Sequence, residues 1–166
     1  MKTNSFLAII LVTFFSGLGA QAQELQALAR VDSENSSIVS AEEGGFQFTL
    51  SLSQGVPYRI FTLASPNRMV VDFREVDWSG FEKNAVLQTD QVADIRVGLF
   101  KPGWSRLVID LMGPVKLSQS EMRIHPTRGT ALLEITMDPA TLEEFRESSG
   151  KHADDGWAVA DEVATL

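Results

Sequence analysis

A segment that alternates strictly between apolar and polar side chains constrains the fold more than any other part of this 166-residue sequence. It runs from Phe46 to Ser53 and carries phenylalanine or leucine at every second position. A two-residue period is typical of a β-strand with one buried and one solvated face. Gly55-Val56-Pro57 then predicts a turn, and the β-branched and aromatic residues of Tyr58–Leu63 predict a second strand that forms a hairpin with the first.

Further short extended segments follow, and turn residues separate them. Proline fixes φ, while glycine and asparagine tolerate turn conformations, so these residues mark the ends of strands. Helical candidates are few: 81–92 predicts a short amphipathic helix or a turn, and Pro139–Phe145 predicts a helix with proline in its first turn. The predicted strands are Arg68–Phe73, Asp94–Phe100, Arg106–Leu111, Val115–Leu117 and Ala131–Thr136, with turns at 65–67, 101–103, 113–114 and 126–129.

The order of strands and turns occurs twice in the chain. A strand, a glycine-proline turn, a strand, a proline-containing turn and a strand run from Phe46 to Phe73 and again from Arg106 to Ile135. Two similar modules that each present an apolar face would pack against each other as the two sheets of a sandwich. The sequence therefore predicts an all-β protein, a β-sandwich of two similar antiparallel sheets with one or two short helices.

The N-terminus has the organisation of an export signal. Lys2 supplies a positive charge, 6–15 is apolar apart from Thr13, and Ala20-Gln21-Ala22 offers the small residues that signal peptidase accepts. Because the apolar run is shorter than the roughly 20 residues of a spanning helix, we expect cleavage after Ala22, a periplasmic protein and no membrane partner after cleavage. The predicted organisation is a signal peptide at 1–22, a lead-in with the first strand at 23–45, the sandwich domain at 46–147 and an acidic flexible tail or linker at 148–166.

Charge and cysteine content exclude several function classes. The chain has 14 Lys and Arg residues against 22 Asp and Glu residues, and this net charge of −8 argues against a nucleic-acid partner. Without cysteine there is no disulfide scaffold, thiolate zinc site or thiol nucleophile. The two histidines, His125 and His152, are far apart in the sequence, whereas zinc needs three or four convergent ligands. We therefore expect no catalytic residue, no metal site and no cofactor in this chain.

Two matching strands carry polar residues of functional interest. Both read Arg, three apolar residues, Asp and a further apolar residue, so Arg68 shares one side of its strand with Asp72, and Arg106 shares one side with Asp110. These pairs would either bind a polar ligand or form cross-strand salt bridges on an outer sheet face.

Trp104 is a further candidate because it follows the turn Lys101-Pro102-Gly103. An exposed indole at this position would stack on a sugar ring or grip a peptide, whereas a folded-back indole would cover an edge of the core. The predicted ligand-binding residues are Arg68, Arg96, Lys101, Trp104 and Arg106.

The stretches Tyr58–Phe73 and Ile95–Leu111 resemble the AMIN domain, and the second, which contains Phe100-Lys101-Pro102-Gly103-Trp104, is the more specific. The similarity covers most of the mature chain, from about Arg30 to Met122. AMIN domains precede the catalytic domain of periplasmic N-acetylmuramoyl-L-alanine amidases and occur in some secretins. The resemblance implies a β-sandwich that binds peptidoglycan and brings a cell-wall amidase to the wall or the division septum.

The sequence departs from those amidases in one respect. Their zinc-binding catalytic domain opens near a D-P-G-H-G-G pattern, and no such pattern occurs here. The resemblance therefore implies targeting and not hydrolysis by this chain, with zinc expected only in a catalytic domain outside it. Two alternatives stay open: a truncated amidase whose catalytic domain is missing from this chain, or a docking module for a secretin or division complex.

Overall fold

Two β-sheets make up most of the protein in a computed structural model, which describes residues 28–151. The strands of the first sheet are β1 (Ala29–Ser40), β2 (Phe46–Leu52), β5 (Val76–Asp77), β6 (Leu87–Gln88), β9 (Val115–Ile124) and β10 (Ala131–Pro139). Those of the second sheet are β3 (Tyr58–Leu63), β4 (Arg68–Arg74), β7 (Val92–Lys101) and β8 (Trp104–Leu111). Two short helices, α1 (Lys83–Val86) and α2 (Leu142–Ser148), complete the fold. The predicted all-β sandwich with short helices is confirmed.

The first sheet has the strand order β5-β1-β2-β10-β9, and β6 also pairs with β1. The pairs β1–β2, β2–β10 and β10–β9 are antiparallel, whereas the short β5 and β6 run parallel to β1. β1 contains a bulge between Asp32 and Ser37, where Ser36 Oγ accepts a hydrogen bond from the Ser51 amide at 3.0 Å. This bond provides a partner for an amide that the bulge removes from the regular ladder.

The second sheet has the order β3-β4-β8-β7 and is antiparallel throughout. The turn at 64–67, which contains a cis Ser65–Pro66 peptide bond, joins β3 to β4, and the turn around Pro102-Gly103 joins β7 to β8. Gly103 has a φ of 72°, a conformation that glycine adopts without steric cost. The turn signals read from the sequence therefore mark both hairpins of this sheet.

The hydrophobic core lies between the inner faces of the two sheets. Alternate residues of β2, Phe46, Phe48, Leu50 and Leu52, are at most 1 % exposed. They belong to one buried cluster with the inward residues of the second sheet, among them Met69, Val71, Phe73, Leu107 and Ile109. Successive residues of a strand point to opposite faces. The residues between these core positions therefore point outward, away from the core.

The two repeated modules do not correspond to the two sheets, and the predicted β2–β3 hairpin is wrong. β2 belongs to the first sheet and β3 to the second, while β8 lies in the second sheet and β9 and β10 in the first. The connection 53–57 carries the chain from one sheet to the other, with Val56 buried on the way. The apolar face of a strand is buried equally well whether the next strand pairs with it in a hairpin or lies in the opposite sheet. Alternation alone therefore did not distinguish a β2–β3 hairpin from a crossing between sheets.

Helix α2 closes one side of the sandwich. Thr141 caps its N-terminus by accepting from the Glu144 amide, and the Glu144 carboxylate accepts from the Thr141 amide in return. Phe145 is fully buried, whereas Leu142 is 47 % exposed. The predicted proline in the first turn is wrong: Pro139 ends strand β10, and the helix starts at Leu142, where the Thr141 cap sets its first turn.

The predicted signal peptide and most of the predicted tail lie outside the described residues. Within 28–151, none of the helices is long and apolar enough to cross a bilayer.

Candidate functional site

The outer face of the second sheet gathers positive charge. Outward positions alternate with the core residues on all four strands, and at their centre lies Asp72, whose side chain is fully buried although it points away from the core. Six cationic side chains surround it or lie at the edge of this face, against three carboxylates. The cations are Arg59, Arg68, Arg74, Arg96, Lys101 and Arg106, and the carboxylates are Asp72, Asp94 and Asp110. We call this surface the cationic face.

Asp72 is held between two guanidinium groups from the neighbouring strands. Arg106 of β8 donates from Nε to Oδ1 at 2.5 Å and from Nη2 to Oδ2 at 3.0 Å. Arg59 of β3 donates to Oδ2 from Nε at 2.9 Å and from Nη2 at 2.7 Å. Arg59, Asp72 and Arg106 occupy matching register positions on three adjacent strands, so the sheet itself brings them together.

The protonation of Asp72 follows from this arrangement. Burial raises the pKa of the Asp72 carboxyl, but the hydrogen bonds and positive charges of Arg106 and Arg59 outweigh burial, and the pKa lies below its ordinary value of 3.8. The carboxylate is therefore ionised at neutral pH. One buried negative charge orients two guanidiniums that are 26 % and 29 % exposed, which leaves a net positive charge at the surface.

The second pair of acidic and basic residues is also formed across strands. Arg96 Nη2 donates to Asp110 Oδ1 at 2.6 Å, and Arg68 lies opposite Asp110 in the β4–β8 register. The cross-strand salt bridges that the sequence offered as one alternative for these residues are therefore present, Arg106 with Asp72 and Arg96 with Asp110. Residues four apart on a strand are about 13 Å apart, whereas register neighbours are about 5 Å apart, so cross-strand pairing wins.

Cationic side chains lie against the aromatic rings of the cationic face. The Arg106 guanidinium lies 4.0 Å from the centroid of Phe100, and the Lys101 ammonium lies 4.6 Å from that of Trp104. Arg74 lies 4.7 Å from the Trp104 centroid, and Arg106 is also 5.6 Å from that of Phe61. These are cation–π distances, so the rings position the positive groups.

A shallow depression of about 320 Å³ opens beside Arg106. Arg96, Gly98, Phe100 and Val108 line it together with Arg106. Gly98 is the register neighbour of Arg106, and a Cβ at Gly98 would meet no atom within 4 Å. The missing side chain leaves space next to the guanidinium.

The family profile of the AMIN domain matches residues 37–134, more than half of the chain. This chain belongs to the AMIN domain family. AMIN domains are peptidoglycan-binding and targeting modules of periplasmic proteins. No curated protein matches the chain.

The matched AMIN region includes the whole second sheet and the cationic face. All five residues predicted to bind ligand lie on this face or at its rim. Arg106 and Trp104 are linked indirectly, because Arg106 and Lys101 both contact Phe100 and Lys101 also contacts Trp104. Arg96 pairs with Asp110 instead, and Arg68 lies at the far end of β4.

Sequence reasoning missed three contributors to this AMIN surface, Arg59, Arg74 and Phe100. A signal for Arg59 existed, because the turn at 64–67 fixes the β3–β4 register and places Arg59 opposite Asp72. The position of Phe100 follows from the shift of register between Leu99 and Lys101, which no sequence pattern indicated.

A second cavity of the AMIN domain, about 600 Å³, lies near the β9–β10 turn. His125 lines it, and its Nδ1 accepts from the amides of Thr127 and Arg128 at 3.3 Å each, so the imidazole closes the turn. Asp32, also at this cavity, accepts from Asn35. Within 28–151, no three His, Asp or Glu side chains are grouped as a metal ion would require.

Proposed function

We propose that this protein binds peptidoglycan in the periplasm through the cationic face and that binding needs no cofactor. The observation that carries the proposal is the arrangement of Arg59 and Arg106 on the buried carboxylate of Asp72. A guanidinium fixed in this way loses little side-chain entropy when it meets a ligand. Membership of the AMIN family supports the choice of peptidoglycan as that ligand.

The face suits a polymer with polar groups repeated along its length. It is open and shallow, and its cations come from all four strands of the second sheet. Each contact would be weak at an exposed surface, so affinity for a wall fragment would be low and affinity for an intact wall would increase through multivalency.

Co-sedimentation of residues 23–166 with purified sacculi tests this proposal. Lys101→Gln and Arg96→Gln remove one exposed charge each from the face, and we expect both to reduce the retained fraction. Lys116→Gln is the matched control, because Lys116 is 51 % exposed on the first sheet. Equal retention of all four proteins, or retention no higher than that of an unrelated acidic protein, would contradict binding through this face.

The cellular role that follows is targeting. We propose that the module brings an N-acetylmuramoyl-L-alanine amidase to the wall or the division septum, the finer role that the resemblance implies. A zinc-binding catalytic domain would supply hydrolysis, and its attachment would add avidity to the weak contacts of the sheet. Localisation of a fluorescent fusion, with Lys101→Gln compared against Lys116→Gln, tests whether the face determines position.

A docking role for a secretin or division protein is the second candidate, and the edge strand β7 favours it. Among the described residues 28–151, β7 has a neighbour only on its β8 side in the second sheet, and Leu99 and Phe100 are 86 % and 42 % exposed. An exposed strand edge can accept an extended segment of another chain. A photo-crosslinker at Leu99 would then capture an envelope protein that the same group at Met112, itself 66 % exposed, does not capture.

A further inference from the structure

We infer that the cationic face recognises the free carboxylates of the peptidoglycan stem peptides and not the sugar rings of the glycan. This inference rests on the proposed function, since it names the part of the polymer that the face contacts.

The cationic face has a positive local charge. The protein carries a net charge of −8, yet its second sheet presents six cations and three carboxylates on one side. Asp72 neutralises only one of the two guanidiniums that bind it, so the centre of the face keeps an excess positive charge. Uncharged glycan hydroxyls would form no ion pairs with these cations. Stem peptides, in contrast, carry carboxylates at the isoglutamate and at diaminopimelate or terminal alanine residues.

The aromatic rings of the cationic face lie against cations. Sugar recognition by stacking needs an aromatic face that is available to the C–H groups of the ring. On this face Lys101 and Arg74 lie against Trp104, and Arg106 and Lys101 lie against Phe100. A sugar stacked there would have to compete with two cations at each ring, whereas a carboxylate would meet the cations directly.

Arg106 has more N–H groups than its bonds to Asp72 use. A guanidinium has five N–H donors, and the bonds to Asp72 use Nε and Nη2. The two N–H groups of Nη1 stay outside these bonds, and the depression left by Gly98 gives a ligand space beside the side chain. Charge-assisted hydrogen bonds from guanidinium to carboxylate are roughly twice as strong as neutral ones.

The test compares three forms of the same insoluble wall. One portion of sacculi is left intact, a second has its carboxyl groups converted to amides with carbodiimide and ammonia, and a third has its amino groups acetylated. Amidation removes the carboxylates without touching the glycan, and acetylation is the control for chemical handling. We expect retention of the protein to fall about tenfold or more on amidated sacculi, because all carboxylate contacts of a multivalent surface are lost together, and to be undiminished on acetylated sacculi.

A variant in the depression provides the second measurement. Gly98→Glu would place a tethered carboxylate beside Arg106, the register neighbour of Gly98, and its Cβ would meet no atom within 4 Å. Its matched control is Gly113→Glu, where a Cβ also meets no atom within 4 Å. We expect Gly98→Glu to reduce retention on intact sacculi while its thermal unfolding midpoint stays near that of the control.

The possible outcomes separate the two proposals. Equal retention on intact and amidated sacculi, or competition by soluble glycan strands alone, would overturn the stem-peptide assignment and leave wall binding in place. No retention on any sacculi would overturn the proposed function itself.

Discussion

Arg106 and Asp72 are joined across strands β8 and β4 by two hydrogen bonds, and the Asp72 carboxylate is fully buried beneath the guanidinium. The pair lies on the side of the sheet that faces away from the hydrophobic core, where Phe61 and Val70 are also buried. Buried side chains therefore also cover the outer side of the central strands. Among them, the Asp72 carboxylate orients the guanidinium of Arg106 at the surface.

Asp72→Asn should destabilise the fold. The substitution keeps the shape of the side chain but leaves Arg59 and Arg106 next to each other without their shared counter-charge. We expect a loss of about 3 kcal/mol in the free energy of unfolding at pH 7, at the lower end of the cost of breaking a buried ion pair because both guanidiniums are partly exposed. Urea denaturation measures it. Asp110→Asn, which breaks the more exposed pair with Arg96, should cost less than about 1 kcal/mol, and equal losses would contradict the account.

The same carboxylate predicts a specific response to acid. Because the pKa of Asp72 is lower in the folded protein than its ordinary value of 3.8, the stability that it contributes is fully present above that pH and is lost as pH falls through the folded pKa. The difference in unfolding free energy between the parent and Asp72→Asn should therefore shrink as pH falls below 3.8. Urea midpoints of both proteins across the acidic range measure this difference, and a constant gap would show that the carboxylate charge is not its source.

The sequence predicted the fold class because strands such as β2 and β8 alternate without interruption between core and surface. β1 was harder to define, since its buried positions include Ser33 and Ser36 as well as Ala29 and Ile38, and serine does not mark a core face. The assignment of strands to sheets failed at 53–57 because a connection that crosses between sheets and a hairpin turn share the same glycine and proline signals.

The candidate site was predicted as a set of residues but not as an arrangement. Arg106 and Asp110 were expected to share one side of β8 and either to bind a ligand or to form cross-strand salt bridges, and the structure contains the salt bridges, Arg106 with Asp72 and Arg96 with Asp110. The sequence did not indicate which strands would be neighbours, so it could not name these partners. The net charge of −8 describes the whole chain and does not locate the six cations of the second sheet. Charge acts locally at a surface within a Debye length of about 8 to 10 Å, so a cationic face can exist on an acidic protein.

Gly45→Ala and Gly103→Ala form a matched pair that tests packing at the start of β2. Both glycines have a φ of 72°, so alanine costs about 1–2 kcal/mol at either position. At Gly45 the new Cβ would also lie 2.0 Å from the Met137 carbonyl oxygen, whereas at Gly103 it meets no atom within 4 Å. We expect Gly45→Ala to lower the thermal unfolding midpoint much more than Gly103→Ala. Similar midpoints would mean that β2 and β10 do not approach as closely as the structure places them.

Salt should weaken wall binding without unfolding the protein. Lys101 and Arg96 are exposed, and the screening length falls from about 10 Å at 0.1 M salt to about 3 Å at 1 M, so their attraction to carboxylates would be largely lost. The Asp72 carboxylate is fully buried, so its bonds to Arg59 and Arg106 are screened far less. We therefore expect retention on sacculi to decrease steadily with sodium chloride while the thermal unfolding midpoint changes little. Retention that persists at the highest salt concentration would indicate apolar or stacking contacts, and would shift the binding surface from the cations to the exposed Leu99 and Phe100 of β7.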